Sequence, residues 1–115
     1  MNWTSSISMV RANNGWQSRR WSDVSYTQII FKGCVSTHNQ SVTIELRQDI
    51  SGAPDKSYGT HVLTNCFHGK DSSGTWDGLP SGNYFFQIDA VDDSGASDDP
   101  VSVSTVIQDT TKADG

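Results

Sequence analysis

Residues 75–95 read TWDGLPSGNYFFQIDAVDDSG, and two patterns meet in them. The stretch "NYFFQIDAV" alternates Tyr84, Phe86, Ile88 and Ala90 against Phe85, Gln87 and Asp89, the period-two signature of a strand with one buried face. Just before it, "LPSG" interrupts the pattern. Leu79 closes a short strand, "TWDGLP", Pro80 fixes a turn, and Gly82 is expected at a positive φ that other residues resist. Tyr84 then points inward, and its hydroxyl needs a buried acceptor, expected from backbone just upstream. Up to Val91 the stretch therefore reads as scaffold, with room for recognition only in the acidic loop beyond it.

Working outward, the same alternation recurs at intervals that suit a meander or Greek key. "SVTIELRQ" sends Val42, Ile44 and Leu46 inward and Thr43, Glu45 and Arg47 outward. "YTQIIFKGCVS" sets Ile29, Phe31 and Val35 against Gln28, Ile30, Lys32 and Cys34, and the apolar Ile30 on the second face places this strand in the centre of a sheet. At the start, "WTSSISMVRA" puts Trp3, Ile7 and Met9 on one face. "THVLTNCF" and "VSVSTVI" complete the set, with "NNGWQSRRWSD" and "DISGAPDKSYG" read as loops and residues 110–115 as a frayed tail. About seven strands and no helix result. A single glutamate and three leucines leave little to drive a helical face. The chain is expected to form one domain, residues 1–115, as an all-β antiparallel two-sheet sandwich.

The spacing of Leu79, Gly82 and Tyr84 in "LPSGNY" resembles the tyrosine corner of immunoglobulin-like and fibronectin type III sandwiches. It is also similar to the strand junction of prealbumin-like repeats in bacterial surface proteins. The resemblance covers about a fifth of the chain. It implies an immunoglobulin-like architecture and carries no function with it.

Cys34 and Cys66 both fall in predicted strands. An even cysteine count in a small core favours a disulfide, worth roughly 3.5–4 kcal/mol for a loop of this length. The competing use of the same sulfurs is a zinc tetrahedron of Cys34, His38, Cys66 and His68, whose C-x3-H and C-x-H spacings are unusual for that metal. No C-x-x-C occurs, which argues against thioredoxin-like redox work.

The net charge of −5 is unevenly spread: +3 over residues 1–33, neutral over 34–70, and −8 over 71–115. A balance of that kind repels nucleic acid and anionic membranes, so neither is an expected partner. It also suits an N-terminal strand lying beside a C-terminal one. No apolar run approaches the length of a membrane span, and "MNWTSSISMV" has neither the charged start nor the apolar centre of a leader. Few Glu and Lys beside abundant Ser, Thr, Gly and Asp set the expectation of a secreted protein.

No G-x-S-x-G, P-loop or H-E-x-x-H motif is present, so the chain is expected not to be an enzyme and to need no cofactor. Calcium is the one metal the sequence invites. Asp89, Asp92, Asp93, Asp98 and Asp99 offer hard oxygens on one loop, though not in the EF-hand pattern. The segment "GWQSRRW" is the other candidate, with Trp16 and Trp21 flanking Arg19 and Arg20. Exposed tryptophan faces stack on sugar rings, and Trp with Arg are common interface anchors; Trp76 is a third candidate face. Against this stands the bland reading, in which one or both tryptophans fold back to cap the sandwich and the arginines pair with acidic neighbours. Two sequons, at Asn2 and Asn39, carry no argument. The expected function is a non-catalytic recognition module for carbohydrate or a cell-surface component, working through Trp16, Arg19, Arg20, Trp21 and Trp76. The alternatives are a small secreted effector, antimicrobial or proteinase-inhibiting, that acts on a protein target through a loop such as "DISGAPDKSYG", and a structural repeat of a larger surface protein.

Overall fold

A computed structural model describes residues 2–11, 16–92 and 100–110, and six strands and one 3-10 turn make up the regular structure among them. They are β1 (Asn2–Arg11), β2 (Trp21–Ser36), β3 (Val42–Asp49), β4 (Lys56–Leu63), the 3-10 turn (Asn65–His68), β5 (Ser72–Val91) and β6 (Pro100–Asp109). All strands join one antiparallel sheet in the order β1-β6-β2-β5-β3-β4. The fold is all-β and antiparallel, as the alternation implies, with six strands in place of about seven. The difference lies in β5: "TWDGLP" and "NYFFQIDAV" are parts of one strand of 20 residues. Cys66 is likewise not in a strand but in the 3-10 turn that leads from β4 to β5. The acidic loop at 93–99 and the expected tail from 111 onward lie outside the described residues.

β5 is continuous through the corner because β2 bends with it. The β2–β5 register slips on both sides of Ser25, which sits at φ 80°, opposite Leu79 and beside Gly78 at φ 68°. Below this bulge β5 pairs with β2, as Thr27↔Trp76 and Phe31↔Ser72. Above it β5 takes β3 as its other neighbour, from Asn83 to Val91. Bulges of this kind bend a strand without ending it. Tyr84 is buried and its hydroxyl donates to Pro80 O at 2.5 Å, the upstream backbone acceptor expected for it. Burial, and then the neighbouring Tyr58, raise the Tyr84 hydroxyl above its ordinary pKa. Gly82 plays a different part from the one expected. It does not have a positive φ; a Cβ there would stand 2.4 Å from Gln48 Nε2, so the glycine admits a close neighbour.

The core is filled as the clean alternations require. Val42, Ile44 and Leu46 of β3, Ile29 and Phe31 of β2, and Phe86 and Ile88 of β5 are all buried. β2 is an interior strand between β6 and β5, as Ile30 suggested. β1 pairs with β6, from Asn2↔Asp109 to Arg11↔Pro100, so an N-terminal strand does lie beside a C-terminal one, with Arg11 and Asp109, the charged residue of each, at opposite ends of the pair.

Two expected faces are broken by backbone kinks. Ile7 is buried, but Met9 has φ 53° and is 60% exposed, and a register shift brings Val10 opposite Val101 instead. In β2, Gly33 takes φ 66°, which turns Cys34 into the core and leaves Val35 59% exposed. A Cβ at Gly33 would meet Ser104 Oγ at 2.3 Å, and that hydroxyl donates to Lys32 O at 2.9 Å. Gly33→Ala should therefore cost roughly 2 kcal/mol through the left-handed backbone and the clash together. A urea midpoint as high as that of the unaltered chain, at equal m-value, would show that the kink is not required.

Candidate functional site

The segment from Trp16 to Arg20 builds the site, and it does so as an arm laid along the edge of β5. Gln17 forms a β-bridge with Gln87. Ser18 N donates to Phe86 O at 2.8 Å, and Ile88 N donates to Trp16 O at 3.3 Å. The Ser18 hydroxyl accepts from Phe86 N at 2.9 Å and donates to Arg19 O at 2.9 Å. These bonds satisfy the edge of β5 where β2 has not yet begun, since Trp21↔Tyr84 is the first β2 pair and lies one residue out of register with Gln17↔Gln87. The offset falls at Arg19 and Arg20: it brings Arg19 to the Phe86 side with Trp16 and Ser18, where regular alternation would have put Arg20, and leaves Arg20 over Phe85. Period-two alternation cannot show such a bulge, which is why the segment reads as a loop in the sequence.

On one face stands Arg20. Its guanidinium lies 4.0 Å from the centroid of the Phe85 ring, its Nε reaches Asp49 Oδ2 at 3.2 Å, and its Nη2 donates to Gln17 Oε1 at 3.1 Å. Arg20 thus covers Phe85 and is held by a carboxylate. Trp21 and Trp76 are 5% and 6% exposed. They are core residues with no face open to a sugar, Trp76 meeting His61 edge-on at 4.7 Å.

On the other face Trp16 and Arg19 meet a cavity of about 220 Å³. Its apolar wall is Trp16 and Phe86, whose ring centroids are 5.6 Å apart. Ser5 and Ser6 of β1 close one side, beside the register shift between Ser5 and Ile7, and Ser18 closes the other. Gln108 of β6 completes the lining; it is 2% exposed, and its Nε2 has no hydrogen-bond partner among the described residues. An unmet buried donor costs about 1–3 kcal/mol; Trp21 Nε1 and Arg47 Nε are in the same state, and of the three residues Gln108 is the one that lines the cavity. Arg19 is exposed and forms no ion pair or hydrogen bond through its guanidinium among the described residues. A second hollow of about 320 Å³, by Ser22, Asp23, Val24, Ser81 and Thr110, has no aromatic wall. Burial raises the Asp23 carboxyl there above its ordinary pKa, and that carboxylate accepts from Thr27 Oγ1 and from Val24 N.

The remaining candidates are placed elsewhere. Cys34 and Cys66 form the expected disulfide, with Cα atoms 5.1 Å apart. The bridge takes both sulfurs, which removes Cys34, His38, Cys66 and His68 as a zinc set. Of the acidic group, Asp93, Asp98 and Asp99 lie outside the described residues. Asp92 accepts from Ser36 Oγ at 2.6 Å, His38 N at 2.9 Å and Gln40 N at 3.0 Å, so its carboxylate closes the β2–β3 turn. Asp89 accepts from Gln87 Nε2 at 2.9 Å; burial pushes its carboxyl above the ordinary range against that bond.

Sequence reasoning missed Ser5, Ser6, Ser18, Phe86 and Gln108 as lining residues. No signal marked Gln108: the alternation of Val101, Val103 and Ile107 assigns it to the outer face with Ser102 and Ser104, and the buried phase shifts only between Val103 and Val106. No protein-family model and no curated protein matches the chain. Among solved structures it is similar to the Yersinia pseudotuberculosis-derived mitogen, with a TM-score of 0.43 and 13% identity over 100% of this chain and 87% of that one.

Proposed function

We propose that this protein is a secreted, non-catalytic recognition module that holds a sugar residue of a cell-surface or other carbohydrate in the Trp16 cavity. The observation that carries this reading is the pairing of an aromatic wall, Trp16 on Phe86, with the buried and unmet Gln108 amide. Apolar walls with a few fixed polar groups are the usual make-up of small-ligand sites. At about 220 Å³ the space is below the ~300 Å³ at which pockets for drug-sized ligands begin, so it suits one ring. The lining has no carboxylate, thiol or imidazole to act as acid, base or nucleophile, which favours binding over catalysis.

The same reading takes the sheet as folded into two packed layers of immunoglobulin-like character. A shortest extent of 19 Å fits two layers about 10 Å apart with their side chains. The Tyr84–Pro80 bond supports the resemblance at the corner.

Trp16→Ala is expected to weaken glycan binding about tenfold or more, as loss of an aromatic anchor does. Because Trp16 is only partly buried, the thermal midpoint should fall little. Calorimetry against soluble polysaccharides, with pull-down on insoluble ones, makes the comparison. Binding that survives unchanged in Trp16→Ala would move the site away from this cavity.

A further inference from the structure

We infer that the Trp16 cavity selects a carboxylated sugar ring, a uronic acid, over its neutral counterpart. This rests on the recognition reading above and narrows its ligand.

The reasoning starts from what the lining can offer. Gln108 lines the cavity, and its Nε2 is a buried donor with no protein acceptor among the described residues. Arg19 can only donate, through a planar fork that matches a carboxylate. Its neighbours in sequence and charge are already engaged. Arg20 reaches Asp49, Arg47 reaches Glu45 at 3.3 Å, and Lys32 reaches Asp71 at 3.4 Å. Arg19 lines the cavity and meets no carboxylate among the described residues, in a chain whose net charge is −5. The Ser18 hydroxyl gives its one proton to Arg19 O and accepts from Phe86 N, so it can offer a ligand only an acceptor lone pair. That leaves Ser5 and Ser6 as the flexible hydroxyls, able to donate or accept. The lining thus holds a cationic fork and an amide donor beside hydroxyls, and none of its side chains is anionic. A ligand that matches them brings acceptors and a negative charge, and one flat apolar face for Trp16. A uronic acid has all three: ring C–H groups for the indole, ring and hydroxyl oxygens for the amide, and a carboxylate for the guanidinium. A neutral hexose leaves Arg19 without a counter-charge.

The test is titration of the full chain, by calorimetry and tryptophan fluorescence, with glucuronic and galacturonic acids, glucose, galactose and polygalacturonate. The uronates should bind about tenfold tighter than the neutral sugars at low salt, as a charge-assisted bond provides. The advantage should shrink as salt rises toward about 0.5 M. Arg19→Gln removes the preference, and Arg19→Lys restores part of it. Gln108→Leu weakens binding and does not lower the thermal midpoint, because an unmet polar atom is replaced by an apolar one of similar size. A lowered midpoint with binding intact would make Gln108 a structural residue and sink its part in the inference. Polygalacturonate bound without the free monomers means that several rings are needed, and overturns the selection of a single uronate ring. Neutral sugars bound as tightly as uronates, and lost in Trp16→Ala, overturn the inference and leave the recognition reading standing. No binding of any of the five probes overturns both.

Discussion

Reduction of the Cys34–Cys66 bridge is expected to lower the thermal midpoint by roughly 10–20 °C. The bridge spans a sequence separation of 32, for which loop closure in the unfolded chain accounts for about 3.7 kcal/mol. A domain of this size has a net stability of roughly 5–15 kcal/mol, so the loss is a large share. The position adds to the effect. Cys34 sits on interior strand β2, just after the Gly33 kink, and Cys66 on the turn that starts β5. Next to it the backbone N of Cys66 donates to Ser72 Oγ at 2.7 Å, and Ser72 pairs with Phe31. Opening the bridge leaves that corner to one hydrogen bond and a short pairing. The check is urea unfolding of the Cys34→Ser, Cys66→Ser double variant beside the oxidised protein. Its midpoint should fall with little change in slope. An unfolding free energy within about 0.5 kcal/mol of that of the oxidised protein would mean that the unfolded loop is already restrained, and the chain-entropy account would fail.

The parts of this fold that the sequence makes legible are those in which burial alone sets the pattern. Val42, Ile44 and Leu46 alternate without interruption and are all fully buried. Ile30 marks β2 as interior, and two cysteines mark the bridge. Legibility fails wherever the backbone leaves the regular pleat. Met9, Ser25 and Gly33 each take a positive φ inside a strand, and each changes which side chains face the core. A non-glycine residue in that region is uncommon and leaves no sign in a pattern of apolar positions. The candidate site suffers from the same cause. Trp16, Arg19, Arg20 and Trp21 stand together in sequence, but the one-residue offset at 19–20 divides them between the cavity, the outer face over Phe85 and the core. Composition identified the segment, and only the register could say which of its residues face the space. Gln108 is the instructive case. The alternation of Val101, Val103 and Ile107 puts it on the outer face, and only the slip between Val103 and Val106 carries it inward to the cavity.

Phe86→Ala is expected to cost about 3–5 kcal/mol, the range for removing a buried aromatic ring. Phe86 stands at the meeting of core and cavity, edge-on to Phe31 at 5.8 Å and tilted against Trp16 at 5.6 Å. Its loss opens a void on the core side and removes half of the aromatic wall on the other. The arm itself should stay attached, because Ser18 bonds to the backbone of Phe86 and not to its ring. The variant therefore separates two roles that a larger disruption would confuse. Phe86→Leu, which keeps an apolar branch in the gap, should lose clearly less stability, yet it still deprives Trp16 of its partner ring. A double-mutant cycle with Trp16→Ala measures that partnership, and a coupling of about 0.5–1.5 kcal/mol is expected for rings in this arrangement. Additive losses would mean that Trp16 stands in place without Phe86, held by its backbone bond to Ile88 alone. The wall would then be one ring deep, and the stacking of a sugar would depend on Trp16 by itself.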